Sequence, residues 1–598
     1  MAFIYCCPVR NSAGLDRKDP KWNNEVFVPQ IEWILHSGTV FDGHRLIPGA
    51  SAVAVSGGVI SAVGTDEDLR VLAGPSTQTI DLAGRLVSPG FTDAHIHAAY
   101  AGVERLGCDL AELSGAEACL QHIAAYAQLP PAPGNDAGWV TGGGWYKGDF
   151  PGGYPDRRLL DGVVSHRPVY LINRDHHSAW VNTRALELAG IDASTPDPAD
   201  GRIERDPDGF PTGTLHEGAM DLVARVLPPV TEEMLTAGIL HAQEHLFSVG
   251  VTGWQEAILG SYGGYPDASA AYRSAAEAGT LKGRATGALW VPRDTTVETV
   301  PDLVQEFVER RAANAAAGFS TTSAKIMVDG VPENYTAAML DPYLRPCSCA
   351  EPTPAEERGL LYLSPEVLAA VSTALDAAGF DLHMHVIGDR AVRTGLDAVA
   401  AARAANPGSA GRHHMAHLQI IHPQDIARFA ELDVTVNAQA LWACNDDQMQ
   451  ELTVPLLGGE RAGWQYPFAD LQAAGARLAM GSDWPVSTPD PWQAIHVAVN
   501  RAHPDYPDAA PLLPGQSLAL GSALAAYTSG SAWLNRAAGG TLTPGAPADL
   551  VVHSVNPFDL PPAALSTVQS DVVMLAGEPV YARSSAGSGA AVLQRTTT

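Results

Sequence analysis

The sequence predicts an α/β protein: a TIM (β/α)8 barrel with an inserted subdomain, plus a small β-sandwich domain formed by both chain ends. Three observations point there. The middle of the chain alternates between strand and helix patterning often enough to supply eight candidate barrel strands. The two ends share a different pattern, strand-rich and without long helices. The stretch 98–248 is too long for a loop between neighbouring strands, so it has structure of its own.

Taken in chain order, residues 1–30 form an N-terminal extension and residues 31–88 the first part of the sandwich. Within the latter, Ser51-Ala-Val-Ala-Val-Ser-Gly-Gly-Val-Ile-Ser-Ala-Val-Gly64 is a hairpin whose turn is Gly57-Gly58. The barrel takes residues 89–515, with 98–248 inserted between its first two strands. Its strands are expected near 88–94, 249–256, 283–291, 322–328, 380–386, 413–418, 433–438 and 476–482. One helix–strand unit shows the logic. Ser364-Pro365 suits an N-cap and first turn, Val367, Leu368, Val371 and Leu375 recur at helical spacing, and Gly379 suits the stop. Phe380-Asp-Leu-His-Met-His-Val386 then reads as a strand. Gln424 to Leu432, followed by Val434-Thr-Val-Asn437, repeats the theme. Residues 516–585 supply a last helix and the sandwich's second part, with strands at Asp549-Leu-Val-Val-His553 and, broken by a turn, Asp571 to Tyr581. Residues 586–598 are a flexible tail.

Composition narrows the function classes. Of 598 residues 46% are apolar and 17% charged, which suits a large packed core and excludes a disordered chain. A formal net charge of −29 repels phosphate backbones and anionic lipid, so neither nucleic acid nor membrane is expected as a partner. No apolar run is long enough to span a bilayer, and Met1 to Gln30 lacks the basic start and apolar run of a signal peptide. A cytoplasmic protein follows. The seven cysteines, with Cys6-Cys7 and Cys347-x-Cys349 as the only close pairs, lack zinc-site spacing and read as reduced thiols.

Active sites of such barrels lie at the C-terminal strand ends, where the chemistry-bearing residues of this chain collect. The first strand ends Pro89-Gly-Phe-Thr-Asp-Ala-His95-Ile-His97; histidines two apart on a strand face the same side and can reach one metal. The fourth carries Ala324-Lys325-Ile-Met-Val-Asp329-Gly330. A lysine inside an apolar strand is either paired with a carboxylate such as Asp329 or has lost its proton. A neutral amine can take up carbon dioxide, and the carbamate offers one oxygen to each of two metals. In His383-Met-His385-Val-Ile-Gly388-Asp389 the ligand candidate is His385, at the strand end; His383 lies deeper and suits a packed or hydrogen-bonded role. In His413-His414-Met-Ala-His417-Leu-Gln419 the best-placed residue is His417. Asp483, in Ala479-Met-Gly481-Ser482-Asp483-Trp484-Pro485, is either a turn cap or a metal ligand and general base; the strand count sets it opposite the histidines.

These segments resemble the amidohydrolase superfamily and, within it, the YtcJ-like branch that includes N-substituted formamide deformylases (amidohydrolase family 3). The likeness runs from about residue 33 to 580. Gly90 to His97, Lys325 to Gly330, His385 to Ala391, Arg412 to Gln419, Gly481 to Pro485 and Gly540 to Leu550 carry it. The resemblance implies two divalent metal ions, zinc first with manganese or iron as alternatives, bridged by a carboxylated Lys325. His95, His97 and Asp483 would hold one metal, and His385 and His417 the other. Arg174-Asp-His-His-Ser-Ala-Trp-Val-Asn-Thr-Arg-Ala-Leu186 resembles the branch's substrate-side segment and makes His177 its aligned histidine. The pattern usually has glycine where His176 stands, and Gly143-Gly-Trp145-Tyr-Lys-Gly148 departs from an acidic version.

The expected activity is hydrolysis of a C–N bond, of amide or N-substituted formamide type, in a small organic substrate by a metal-bridging hydroxide. Asp483 would move the proton and His177 would hold the carbonyl oxygen. Apolar walls are expected from Trp145 and Trp254, with Trp180 and Trp484 as further candidates. A homodimer is expected. The rival readings are a metal-dependent decarboxylase or lyase, an ester or cyclic-amide hydrolase, and, remotely, a non-catalytic barrel scaffold.

Overall fold

The eight expected strands pair in chain order as one parallel sheet curled into a barrel: Phe91–Ile96, Val251–Leu259, Arg284–Trp290, Ser320–Met327, Asp381–Val386, His414–His417, Thr435–Ala438 and Leu478–Met480. The structure is a computed structural model and describes residues 30–584 except 112, 132–137, 199, 263–264, 345–356 and 506–509. The first and eighth strands meet just past their ends. Asp483 N–H donates to the His95 carbonyl and His97 N–H to that of Trp484, each at 2.8 Å. The buried Asp93 carboxylate accepts from Ser482 N–H at 3.1 Å and from His95 N–H at 3.0 Å. This approach needs a glycine at 481, because a Cβ there would sit 2.6 Å from His95 N.

Helices cover the barrel, and their starts and stops follow local chemistry. Ser364 Oγ accepts from Val367 N–H, Pro365 opens the helix Pro365–Ala377, and Leu368, Val371 and Leu375 turn inward. Gly379, at φ 77°, ends it.

The insertion begins with helix Ala98–Leu106 and returns through helix Glu232–Ser248. The two cross where Gly102 meets Gly238, so tightly that a Cβ on Gly102 would lie 1.9 Å from the Gly238 oxygen. Between them stands a six-stranded sheet in the order Gly201–Arg205, Pro211–Glu217, Ser178–Val181, Val169–Asn173, Val140–Trp145, Cys108–Asp109.

Both chain ends build the sandwich. Strands Val59–Gly64, Ala52–Ser56, Trp33–His36 and Gln78–Asp81 form one sheet. Thr39–Val40, Leu86–Pro89, Leu550–His553, Ser570–Leu575 and Glu578–Ala582 form the other. The ends are joined by an antiparallel ladder in which Leu550 faces Pro89 and Val552 faces Val87. Leu35, Val53 and Val55 pack against Val87, Leu550 and Met574 between the sheets. The hairpin turn has Gly57 at φ 58° and Gly58 at φ 74°, both in the left-handed region that a two-residue turn requires.

Cys6, Cys7, Cys347 and Cys349, and the tail 586–598, lie outside the described residues. The described cysteines, Cys108, Cys119 and Cys444, are buried free thiols. Among the described residues no helix is long and apolar enough to cross a membrane.

Candidate metal centre

At the C-terminal mouth of the barrel, strands far apart in sequence bring five donors and an amine together. Asp483 Oδ1 lies 3.0 Å from both His95 Nε2 and His97 Nε2, and Asp483 Oδ2 lies 3.8 Å from His417 Nδ1. The donor atoms of His95, His417 and Asp483 all fall within 4.8 Å of one another. The rings of His385 and His417 are 4.3 Å apart. Lys325 Nζ sits 3.4 Å from His95 Nε2. All six side chains line one cavity of about 30 Å³. His417, at φ 75°, and Asp483, at φ 57°, hold left-handed backbone conformations that cost a non-glycine residue about 1–3 kcal/mol, strain of a kind that collects at functional sites.

The electrostatics suit a cation. Burial, reinforced by the neighbouring positive groups, pushes the His95 imidazole down to about 3 and those of His385 and His417 well below their ordinary value, so all three are neutral. Neutral imidazole is the ligating form. Burial would raise the Asp483 carboxyl, but His95, His97 and His417 hold it well below the usual range, as a carboxylate. His385 Nε2, both ring nitrogens of His417 and Asp483 Oδ1 are buried without a hydrogen-bond partner. Leaving such atoms unpaired costs about 1–3 kcal/mol each, and one or two cations among them would remove that cost. The donor set therefore fits divalent metal.

Lys325 is 1% exposed, and burial lowers its amine to about 7. Asp329 is not its partner. That carboxylate accepts from the backbone N–H groups of Ala338 and Gly388 at 2.8 Å and Ile387 at 3.0 Å. Among the described residues no carboxylate lies within ion-pair distance of Lys325. His383 sits beneath the cluster, where its Nε2 shares a 2.7 Å hydrogen bond with His95 Nδ1 and so aims His95 Nε2 at the mouth.

The insertion closes the site from above. His177 lines the small cavity, and its Nδ1–H donates to Glu217 at 2.7 Å. Its N–H donates to Asp175 and its carbonyl accepts from Asn334 Nδ2. Burial works against a charge on His177, but Glu217 and then Asp175 hold its pKa above the ordinary imidazole value. The buried Lys147 amine bonds Asp175 at 2.7 Å and Asn334 at 2.9 Å, tying insertion to barrel. Sequence reasoning had no signal for Glu217, Asn334 or Lys147, whose partners lie at least 28 residues away. Asp93, two residues before His95, was within reach of it.

Two expected wall residues are not in the site. Trp145 is fully buried in the insertion's own core beside Phe150 and Trp180, its Nε1–H donated to the Leu171 carbonyl. Trp254 is fully buried among residues packed outside the barrel sheet, its Nε1–H donated to Tyr272 Oη. Trp180 is buried like Trp145, whereas Trp484 does line a cavity of about 540 Å³ above the cluster.

Residues 78–581, most of the chain, match the amidohydrolase family. The chain belongs to the amidohydrolase family. It is a hydrolase of that family, with a candidate metal site at the barrel mouth. The putative amidohydrolase YtcJ of Bacillus subtilis (strain 168) is 29% identical over 92% of this chain and 99% of its own. The N-substituted formamide deformylase of Arthrobacter pascens is 27% identical over 87% of this chain and 93% of its own. An uncharacterized metal-dependent hydrolase from Pyrococcus furiosus shares the fold, with a TM-score of 0.64 at 24% identity over 89% of this chain and 99% of its own.

Proposed function

We propose that this amidohydrolase cleaves the C–N bond of an N-substituted formamide or related amide, using two divalent metals, zinc foremost. His95, His97 and Asp483 would hold one metal, His385 and His417 the other, and a carboxylated Lys325 would bridge them. The observation that carries the reading is the buried Lys325 amine: it has no ion-pair partner among the described residues and stands 3.4 Å from His95 in a cluster of unpaired ligand atoms. A near-neutral amine reacts with carbon dioxide, and the resulting carbamate is stable when cations neutralise it.

A bound pair of divalent ions supplies an acidified water and a polarised carbonyl. Asp483, kept ionised by its histidine neighbours, takes the proton from the attacking water and returns it to the leaving nitrogen. His177 has Nδ1 committed to Glu217, which leaves Nε2 to hold the substrate's carbonyl oxygen. The likeness to a formamide deformylase supports the substrate class.

The test combines metal analysis with product assay. Two equivalents of zinc per chain, formate released from N-substituted formamides, a carbamate carbon signal after growth on labelled bicarbonate, and loss of turnover on chelation are expected. Full turnover by metal-free protein would overturn the reading.

A further inference from the structure

The small cavity around the candidate metal ligands is flanked by two larger ones, and adjacent histidines face different sides. His177 lines the metal cavity and the 540 Å³ cavity. His176 and Tyr262 are the described residues shared by the metal cavity and a second chamber of about 950 Å³. His176 is held at φ 61°, in the left-handed region that favours glycine. Its imidazole is anchored as well as strained. Nε2 lies 3.3 Å from Glu104 Oε1, the Tyr265 hydroxyl donates to the same oxygen at 3.2 Å, and the ring lies nearly parallel to that of His97. A bulky residue kept in an unfavourable conformation at a boundary between cavities needs a reason beyond packing.

The chamber's chemistry suggests its occupant. Tyr262, Trp290 and Tyr362 form aromatic walls, and Leu361 is among the aliphatic residues that join them. Charged groups line it too, Arg225 and Arg293 against Asp200, Glu217, Asp221 and Asp294; of these the Arg293 guanidinium is held, 3.8 Å over the Tyr362 ring, 3.4 Å from Glu217 and 3.7 Å from Asp200. The excess of carboxylates disfavours an anion, and the aromatic walls suit a flat apolar group. The chamber meets the metal cavity at His176, one residue from the His177 proposed to hold the substrate's carbonyl oxygen.

We propose that the 950 Å³ chamber is the subsite for an aromatic substituent on the leaving nitrogen, and that His176 is a specificity-determining residue whose ring narrows the passage to it. This rests on the hydrolase reading above. Replacing the ring by glycine widens the passage and frees the backbone conformation; alanine widens it without that relief, so the two separate access from strain.

The experiment compares kcat/KM for N-methyl-, N-benzyl- and N-(1-naphthylmethyl)formamide in the zinc-loaded protein. The naphthylmethyl-to-methyl ratio should rise about tenfold or more in both His176→Gly and His176→Ala. It should fall about tenfold in Leu361→Trp, which fills the chamber. A ratio that stays the same in all three variants, or an equal loss on every substrate, overturns the proposal. Should the wild-type protein turn over no formamide, the hydrolase reading fails, and the chamber is judged by binding instead. The fluorescence of 1-naphthylmethylamine must then report binding that Leu361→Trp weakens about tenfold; equal binding overturns the subsite.

Discussion

At the scale of single residues, the centre depends on atoms whose protonation is set by burial. Lys325 is the clearest case. Its aliphatic stem packs in a parallel strand while burial lowers its amine to about 7 against the opposing pull of Asp483, and among the described residues no carboxylate lies within ion-pair distance of it. Lys325→Met keeps the stem and removes the amine, so it should fold, lose about one metal equivalent and drop kcat/KM by about a thousandfold or more. Metal analysis beside formate release checks both halves. Asp483 makes a different prediction, because an amide keeps an oxygen for the metal but cannot take a proton. Asp483→Asn should retain much of its metal and lose kcat by about a hundred- to ten-thousandfold with a smaller change in KM. Equal metal content and undiminished kcat would remove Asp483 from the proton path.

At the scale of elements, strands deliver the ligands but clamps set their aim. Asp329, four residues beyond Lys325, receives three backbone N–H groups from the turns around Ala338 and Gly388. It thereby fixes the end of the fifth strand, where His385 stands. Asp329→Asn turns an NH2 toward at least one of those donors. The fold should lose about 2 kcal/mol in urea unfolding, and the metal affinity should fall because His385 is no longer aimed. A variant as stable as wild type with unchanged affinity would show that the turn holds itself. The Asp93 bridge to Ser482 does the corresponding work between the first and eighth strands, where glycine at 481 lets two backbones touch.

At the scale of the whole molecule, the candidate ligands come from strands one, five, six and eight, and a cation among them would cross-link the barrel. Metal that binds only the folded chain adds about 4 kcal/mol when present at about a thousand times its dissociation constant. Removing it with a chelator should lower the melting midpoint by several degrees, and zinc or manganese should restore both midpoint and activity. A midpoint indifferent to chelation would mean that the cluster stands without a cation. The sandwich enters this unit covalently and by contact: its strand Leu86–Pro89 continues almost directly into barrel strand Phe91–Ile96, and Arg284 at the start of the third strand pairs with buried Asp549.

The sequence alone determined what depends on neighbours in the chain. The helix–strand alternation located all eight barrel strands, Ser364-Pro365 and Gly379 bounded a helix, and the two-residue period of a strand put His95 and His97 on one side. Those properties follow from covalent geometry and local hydrogen bonding, so a short stretch of residues contains them. Tertiary structure decided the rest: that Asp329 serves backbone amides and not Lys325, that Trp145 and Trp254 are core, that Glu217 and Lys147 brace the segment carrying His177, and that His176 stands in a left-handed conformation between two cavities. Each of these is a contact or a strain imposed by packing between segments far apart in the chain, and no local pattern encodes which distant group a side chain will meet.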